Sequence, residues 1–181
     1  MIEPIIKIFE NNKINYSQVY MSLEKYFETS LFQQSHQLCI TSKNGQDLFD
    51  GVGSLYDSHS KKFIAHTSLF NQLNKPFKGT EMETIYESVK EIADRNYGVK
   101  IGRVRLMRLR PKSCYSYHID PEEFRFHIPL KTNKNCFFVV DDIVARMTDE
   151  NSLYILKTNE VHTAVNASFT NRDHLVFDTY K

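Results

Sequence analysis

The 181-residue sequence predicts an α+β fold that is mainly β, and three observations carry this prediction. One long amphipathic segment, 81–97, lies in the first half, and short segments of alternating polarity follow residue 98 at close intervals. Hydrophobic residues make up 41% of the chain, which is enough to bury a core without disulfide bonds. We expect one domain over 1–181, in which a helical and mixed support region (1–98) packs against a β-rich core (99–181).

The support region begins with weaker signals. Apolar residues at helical spacing predict a helix over 17–27, and short strands are expected at 37–41 and 62–65. Gly45, Gly51 and Gly53 indicate turns between them. The clearest element is a helix over 81–97, which Thr80 can cap, with Glu83 completing a capping box and Gly98 marking the end.

The second half consists of short strands separated by turn residues. We expect strands at 99–109, 124–130, 136–140, 152–157, 162–166 and 174–180. Strands of this length and spacing are typical of an antiparallel sandwich or barrel.

Composition narrows the function classes. The chain has 23 basic and 22 acidic side chains, a net charge of +1, whereas a dedicated nucleic-acid binder usually carries a basic excess. Cys39, Cys114 and Cys136 form no CxxC pair, which favours reduced thiols in the cytoplasm. No apolar stretch is long enough to span a bilayer, and the start lacks the pattern of a signal peptide, so we expect no membrane partner.

Three polar residues suit a metal site. His118 and Asp120 are two positions apart, so on a strand both side chains point to the same face, and His162 begins a later strand. Two imidazoles and one carboxylate form the facial triad of non-haem Fe(II) oxygenases, which leaves positions open for co-substrate and O2. The alternative is a chance His-x-Asp pair and a hydrogen-bonded strand histidine.

Arg172 lies ten positions after His162, where the next strand of an antiparallel sandwich returns beside the previous one. A guanidinium grips a carboxylate with two parallel hydrogen bonds, which suits a dicarboxylate such as 2-oxoglutarate. A surface salt bridge is the alternative. His174 shares a strand face with Arg172. It either supports the residues that bind the co-substrate or has a structural role only.

Further polar residues alternate with apolar ones on the predicted strands. Arg125 and His127 share one strand face, which is turned either to solvent or to a polar cavity. Ser113 and Tyr115 either line the pocket and bind a co-substrate carboxylate or are ordinary strand residues. Asn166 either orients co-substrate or serves a turn. The basic residues of 103–112 divide between two strand faces, which fits a solvated strand edge or pocket residues for an acidic substrate better than one basic surface.

Taken together, four segments resemble the Fe(II)/2-oxoglutarate-dependent oxygenases and, more narrowly, the aspartyl/asparaginyl β-hydroxylase family. They are His-Ile-Asp at 118–120, Arg-Phe-His at 125–127, His-Thr-Ala-Val-Asn at 162–166 and Arg-Asp-His-Leu-Val-Phe-Asp at 172–178. The resemblance covers roughly residues 102–180. Its most specific part is the spacing of ten from histidine to arginine, followed by an apolar strand that ends in Phe-Asp.

The resemblance implies a double-stranded β-helix, a jelly-roll or cupin-like fold, with supporting N-terminal helices. It implies Fe(II) held by His118, Asp120 and His162, and 2-oxoglutarate bound through Arg172. It also implies that Arg125 and His127 contact carboxylates of co-substrate or substrate, although their spacing from His118 is shorter than in the family. Some animal members have glycine in place of the carboxylate ligand, so their substrate is not transferred to this chain.

The hypothesis is therefore a 2-oxoglutarate-dependent dioxygenase that uses O2, with ascorbate as a supporting reductant. It would hydroxylate an unactivated C–H bond of an amino-acid side chain, free or in a peptide or protein, and convert 2-oxoglutarate to succinate. Two alternatives stay open: a non-catalytic cupin-like module that binds a metal or a ligand, and an oxygenase acting on nucleic acid. The oligomeric state is not predicted.

Overall fold

The computed structural model describes residues 3–10, 14–57 and 59–181, which form three α-helices and fourteen strands. The helices are α1 (Tyr16–Glu24), α2 (Ser30–Ser35) and α3 (Glu81–Tyr97), with short 3-10 helices at Thr67–Phe70 and Lys75–Phe77. The strands of the first half are β1 (Ile5–Glu10), β2 (Gln37–Cys39), β3 (Thr41–Ser42), β4 (Tyr56–Asp57), β5 (Lys62–Phe63) and β6 (Gln72–Leu73). Those of the second half are β7 (Lys100–Leu109), β8 (Ser113–Cys114), β9 (Phe124–Lys131), β10 (Cys136–Val140), β11 (Ile143–Ala145), β12 (Ser152–Lys157), β13 (His162–Asn166) and β14 (Arg172–Tyr180).

Two antiparallel sheets build the jelly roll. The large sheet has the order β1-β12-β9-β14-β7-β2, and the small sheet has the order β11-β10-β13-β8. Strands that are distant in sequence are neighbours in both sheets, as the jelly-roll topology requires. The predicted fold class, mainly β with supporting N-terminal helices, is confirmed.

The large sheet is buried on both faces, and the two faces differ in character. Alternate residues of its strands, such as Leu106, Phe126 and Phe177, join the side chains of α1 and α3 in the main hydrophobic core. The opposite face turns toward the small sheet, where a smaller apolar cluster includes Phe138, Leu156 and Ala164. The remaining space between the sheets has charged and polar side chains on one wall, because most inward positions of β7, β9 and β14 hold arginine or histidine.

Helix α3 has the predicted boundaries, and its capping differs from the prediction in one contact. Thr80 Oγ1 accepts a hydrogen bond from the Met82 N–H, and Gly98 closes the helix at φ +61°. Glu83, however, accepts from the Gly79 N–H at 2.6 Å instead of from that of Thr80. Glu83 therefore satisfies the turn before the helix and leaves the capping box incomplete.

All six strands expected after residue 98 are present, as β7, β9, β10, β12, β13 and β14. The first half departs more from expectation. The strand predicted at 37–41 is interrupted at Ile40, so that β2 joins the large sheet whereas β3 pairs with β6. The first strand, β1, was not predicted; it pairs with β12, nearly 150 residues away in the chain.

Candidate functional site

A cavity of about 520 Å³ lies between the two sheets. Inward residues of β7, β9 and β14 form one wall, and residues of β10 and β13 form another. The segments 53–57 and 63–65 also line the cavity, so both halves of the chain contribute to it.

The three predicted metal ligands meet at this cavity. His118 and His162 form an isolated antiparallel bridge in which each backbone N–H donates to the other's carbonyl, at 3.0 and 2.9 Å. Their rings lie side by side, with centroids 4.3 Å apart. Asp120 is brought to them by its N–H, which donates to the Thr158 carbonyl at 2.9 Å.

Both histidines present the nitrogen that a metal needs. The Nδ1 atoms of His118 and His162 lie 2.8 and 2.9 Å from the carbonyl oxygens of Ser116 and Glu160. A carbonyl can only accept, so each Nδ1 carries the proton and each Nε2 keeps a free lone pair. A backbone carbonyl that holds the far nitrogen of a ligating histidine is the common outer arrangement of metal sites.

Distances among the donor atoms fit one cation. One donor atom from each of the three residues lies within 4.8 Å of the other two, and His162 Nε2 is 3.4 Å from Asp120 Oδ2. Neighbouring donors of an octahedral first-row metal are about 3 Å apart, so small side-chain movements complete the site. Two imidazoles and a carboxylate without thiolate suit Fe(II).

Arg125 holds the carboxylate ligand. Its Nη1 lies 2.5 Å from Asp120 Oδ2, and the same guanidinium pairs with Glu122 and Asp178. Burial alone would raise the pKa of Asp120, but the charge of Arg125 lowers it. Arg125 was predicted to bind carboxylates of co-substrate or substrate. Instead, the structure pairs its charge with three carboxylates of the protein, so its position favours orienting Asp120.

Arg172 has the opposite character, because it is buried without a carboxylate partner. Its side chain lines the cavity with 4% of the residue exposed, and no carboxylate in the described part of the chain forms an ion pair with it. Its neighbours are His174, whose two ring nitrogens lie 3.1 and 3.0 Å from the guanidinium, and the ring of Phe138. Burial lowers the pKa of Arg172 to about 10, so it stays charged at neutral pH.

His127 and Tyr115 line the cavity near Arg172. Both ring nitrogens of His127 are buried and have no hydrogen-bond partner among the described residues. Burial and the charge of Arg172 hold the pKa of His127 well below its usual range, so its imidazole is neutral. Tyr115, whose pKa is raised by burial, also lies within the electrostatic reach of Arg172. Orphaned polar atoms beside an unpaired cation are what a bound dicarboxylate would satisfy.

Asp178 connects three guanidiniums on the wall of the cavity. Arg103 approaches Asp178 Oδ2 with Nη2 and Nε at 2.7 and 2.8 Å, Arg125 pairs with Oδ1, and Arg105 lies farther away. Burial opposes ionisation, but these charges hold the pKa of Asp178 well below its usual range. Of the two interpretations of the basic stretch 103–112, pocket residues fit Arg103 and Arg105, which are buried and line the cavity. A solvated position fits Arg110 and Lys112, which are exposed.

Two predicted side chains stand apart from the cavity. Ser113 is not among the residues that line the cavity, and its hydroxyl donates to the Arg110 carbonyl at 2.6 Å. The expectation of a 2-oxoglutarate contact at Ser113 is therefore corrected. Asn166 serves the turn before β14, since its Nδ2 donates to the carbonyls of Leu109 and Thr170. Sequence reasoning missed Asp178, although it has the same strand parity as Arg172 and His174, and that parity could have revealed it.

Comparison with known families agrees with this geometry. A family model described as Aspartyl/Asparaginyl beta-hydroxylase matches residues 59–181, which is more than half of the chain. The chain belongs to the aspartyl/asparaginyl β-hydroxylase family. The matched region includes the metal-ligand cluster, Arg125, His127 and Arg172, so the suspected resemblance is confirmed. The family is one of hydroxylases, and a search of curated proteins finds no match.

Two solved structures share the fold of this family member at low sequence identity, and a third is similar over part of its length. Viral collagen prolyl hydroxylase vCPH from Paramecium Bursaria Chlorella virus-1 is 8% identical with a TM-score of 0.56, covering 97% of this chain and 90% of that one. IDO from Bacillus thuringiensis is 12% identical with a TM-score of 0.55, covering 98% and 93%. AviO1 from Streptomyces viridochromogenes is 15% identical with a TM-score of 0.47, covering 57% of this chain and 62% of that one, which is less than two thirds of its length.

No helix within the described residues combines the length and apolar character needed to cross a bilayer. The three cysteines are free, with Cys39 and Cys136 buried and Cys114 exposed.

Proposed function

We propose that this family member is an Fe(II)- and 2-oxoglutarate-dependent dioxygenase that hydroxylates an unactivated C–H bond. One observation carries the proposal: a His-Asp-His cluster with both Nε2 atoms free shares a cavity with Arg172, a buried guanidinium without a carboxylate partner among the described residues. A protein that only binds a metal would also need the His-Asp-His cluster, but it would not need Arg172. A buried cation without a partner destabilises the fold, so its presence implies an anionic ligand.

His118, Asp120 and His162 would hold the iron. When bound, Fe(II) with 2-oxoglutarate and O2 supplies the oxidising power that converts a C–H bond to C–OH, while 2-oxoglutarate becomes succinate and CO2. The backbone bridge between the two histidines sets the spacing of their rings before the metal arrives. Arg125 keeps Asp120 ionised and holds its orientation.

Arg172 would bind the distal carboxylate of 2-oxoglutarate through two parallel hydrogen bonds. Its Nε and Nη2 now face the ring nitrogens of His174, which is a weak arrangement because a neutral imidazole accepts only one hydrogen bond. Tyr115 can donate its hydroxyl to the same carboxylate, and His127 lies on the wall that the rest of the co-substrate would follow. These side chains also exclude water from the reacting atoms.

We propose an amino-acid side chain, free or within a peptide or protein, as the hydroxylated group, with ascorbate as a supporting reductant. We also propose a cytoplasmic location, which the three free thiols support. Neither a membrane nor nucleic acid is proposed as a partner, since the net charge is only +1.

The test is succinate formation from 2-oxoglutarate by the full chain with Fe(II), O2 and ascorbate, against a panel of amino acids and peptides. We expect activity in the wild type and in Ser113→Ala, whose hydroxyl lies outside the cavity, and none in His162→Ala. Metal binding without any succinate would favour a cupin-like binding module. If the wild type binds neither iron nor 2-oxoglutarate, the proposal is wrong.

A further inference from the structure

Arg105 is a second buried cation on the cavity wall, distinct from the one assigned to 2-oxoglutarate. It is 3% exposed and lies on β7, opposite Val176 of β14, which in turn pairs with His127 of β9. Directly opposed residues of an antiparallel sheet share a face, so these side chains point into the same cavity. Val176 is four residues from Arg172, about 13 Å along the strand, so one carboxylate group cannot bind both arginines.

The hydrogen bonds of Arg105 are mostly to neutral groups. Its Nη1 donates to Gln37 Oε1 at 2.8 Å and to the Gly53 carbonyl at 3.0 Å. Its Nε is buried and has no hydrogen-bond partner among the described residues. The guanidinium therefore has donor capacity that the protein does not use.

Among the described residues, Arg105 forms one ion pair, which is long and shared with other arginines. Its Nη2 lies 3.5 Å from Asp178 Oδ2, an oxygen that Arg103 already contacts at 2.7 and 2.8 Å. Arg125 takes the other oxygen of the same carboxylate. Burial, together with the charge of Arg103, lowers the pKa of Arg105 to about 10. One carboxylate thus serves three guanidiniums, and Arg105 is the least neutralised of them.

We propose that Arg105 binds a carboxylate of the primary substrate, the molecule that is hydroxylated. The inference rests on the proposed function and makes Arg105 a residue that determines substrate specificity. Arg105 lies two strands away from β9, where Arg125 contacts the metal-ligand carboxylate of Asp120. The backbones of β7 and β9 are therefore about 10 Å apart. Both arginines line the same cavity as the candidate metal ligands.

The carboxylate has two sources, a free amino acid or an acidic side chain within a peptide, and two experimental arms separate them. Dissociation constants are measured by calorimetry, without O2, for the full chain loaded with Mn(II) and 2-oxoglutarate. The first arm compares free L-amino acids with their C-terminal amides. The second compares end-blocked peptides that contain Asp or Glu with the same peptides containing Asn or Gln.

We expect at least one carboxylate in one arm to bind about 30-fold more tightly than its amide, which is typical of a buried charge pair. Arg105→Gln should remove this preference, and Arg105→Lys should restore part of it. Arg108→Gln is the matched control, because Arg108 lies on the opposite face of the same strand and pairs with Asp173. It should lower the melting temperature and retain the preference.

Equal affinity for every acid and its amide in both arms would overturn the inference. So would a loss in Arg105→Gln that is equal for acid and amide, because that result indicates a structural role. Succinate formation by the Fe(II)-loaded wild type is measured separately and tests the proposed function. If the protein turns over 2-oxoglutarate but binds acids and amides equally, the role of Arg105 is refuted and the proposed function is not.

Discussion

Replacing Arg172 with methionine should weaken 2-oxoglutarate binding and cost the ligand-free protein no stability. Methionine fills a similar volume beside Phe138 and removes the charge. The side chain is 4% exposed, and burial lowers its pKa from 12.5 to about 10. This difference corresponds to roughly 3 kcal/mol by which burial among the protein's own side chains disfavours the charged form.

Two effects of opposite sign follow. The ligand-free variant should gain about 1–3 kcal/mol in its free energy of unfolding, because an unpaired buried charge is replaced by an apolar group. The loss of a charge-paired, buried contact should raise the dissociation constant for 2-oxoglutarate by a factor of about 30 to several thousand. If Arg172 only stabilised the fold, its replacement would instead lower the free energy of unfolding.

Arg103→Met is the matched control. Arg103 is equally buried, at 2%, but it pairs with Asp178 and donates to the carbonyls of Gly51 and Gly53. Its replacement should lower the free energy of unfolding by about 2–5 kcal/mol. Urea unfolding followed by circular dichroism measures stability, and calorimetry with Mn(II)-loaded protein measures 2-oxoglutarate affinity. If Arg172→Met binds 2-oxoglutarate like the wild type, or is as unstable as Arg103→Met, the reasoning is refuted.

Tyr115→Phe should raise the KM for 2-oxoglutarate about 2- to 10-fold, because the variant loses one hydrogen bond to the co-substrate. Ser113→Ala should leave this KM unchanged. Similar KM values for both variants in a succinate assay would contradict the assignment of Tyr115 to the cavity. Asp178→Asn should lose about 3–5 kcal/mol at neutral pH, because three guanidiniums lose their shared anion. The folded-state pKa of Asp178 is depressed, so its contribution is present above the unfolded value of about 3.9 and is lost as the pH falls below it. Urea titrations at several pH values should therefore show the two proteins converging in acid, and a constant difference down to the lowest pH would argue against this linkage.

The predictable parts of the fold are those in which local sequence and tertiary burial agree. Helix α3 has a capping threonine, an apolar stripe and a terminal glycine, and its boundaries match the prediction. Strands β9 and β14 alternate clearly and were also found. Strand β1 carries no comparable signal, because its pairing with β12 is a long-range event that neither segment encodes locally.

The three residues of the His-Asp-His cluster could be identified from the sequence as candidate metal ligands, whereas the charge environment of the cavity could not. A polar cavity and bulk water impose the same period of two on a strand, so a solvated edge and pocket residues stayed open as alternatives for Arg103 and Arg105. Only the position of the small sheet and of the 53–57 segment reveals that they are buried. The family resemblance implied that Arg125 contacts carboxylates of co-substrate or substrate. In the structure three carboxylates of the protein pair with it, those of Asp120, Glu122 and Asp178.

The most direct test follows O2, 2-oxoglutarate and succinate in one solution of the Fe(II)-loaded full chain. Wild-type protein should form one succinate for each O2 and each 2-oxoglutarate consumed. Asp120→Ala should consume neither, because the carboxylate ligand of the proposed iron site is absent. If wild-type protein leaves 2-oxoglutarate intact, or if Asp120→Ala turns it over at the wild-type rate, the proposed oxygenase site is contradicted.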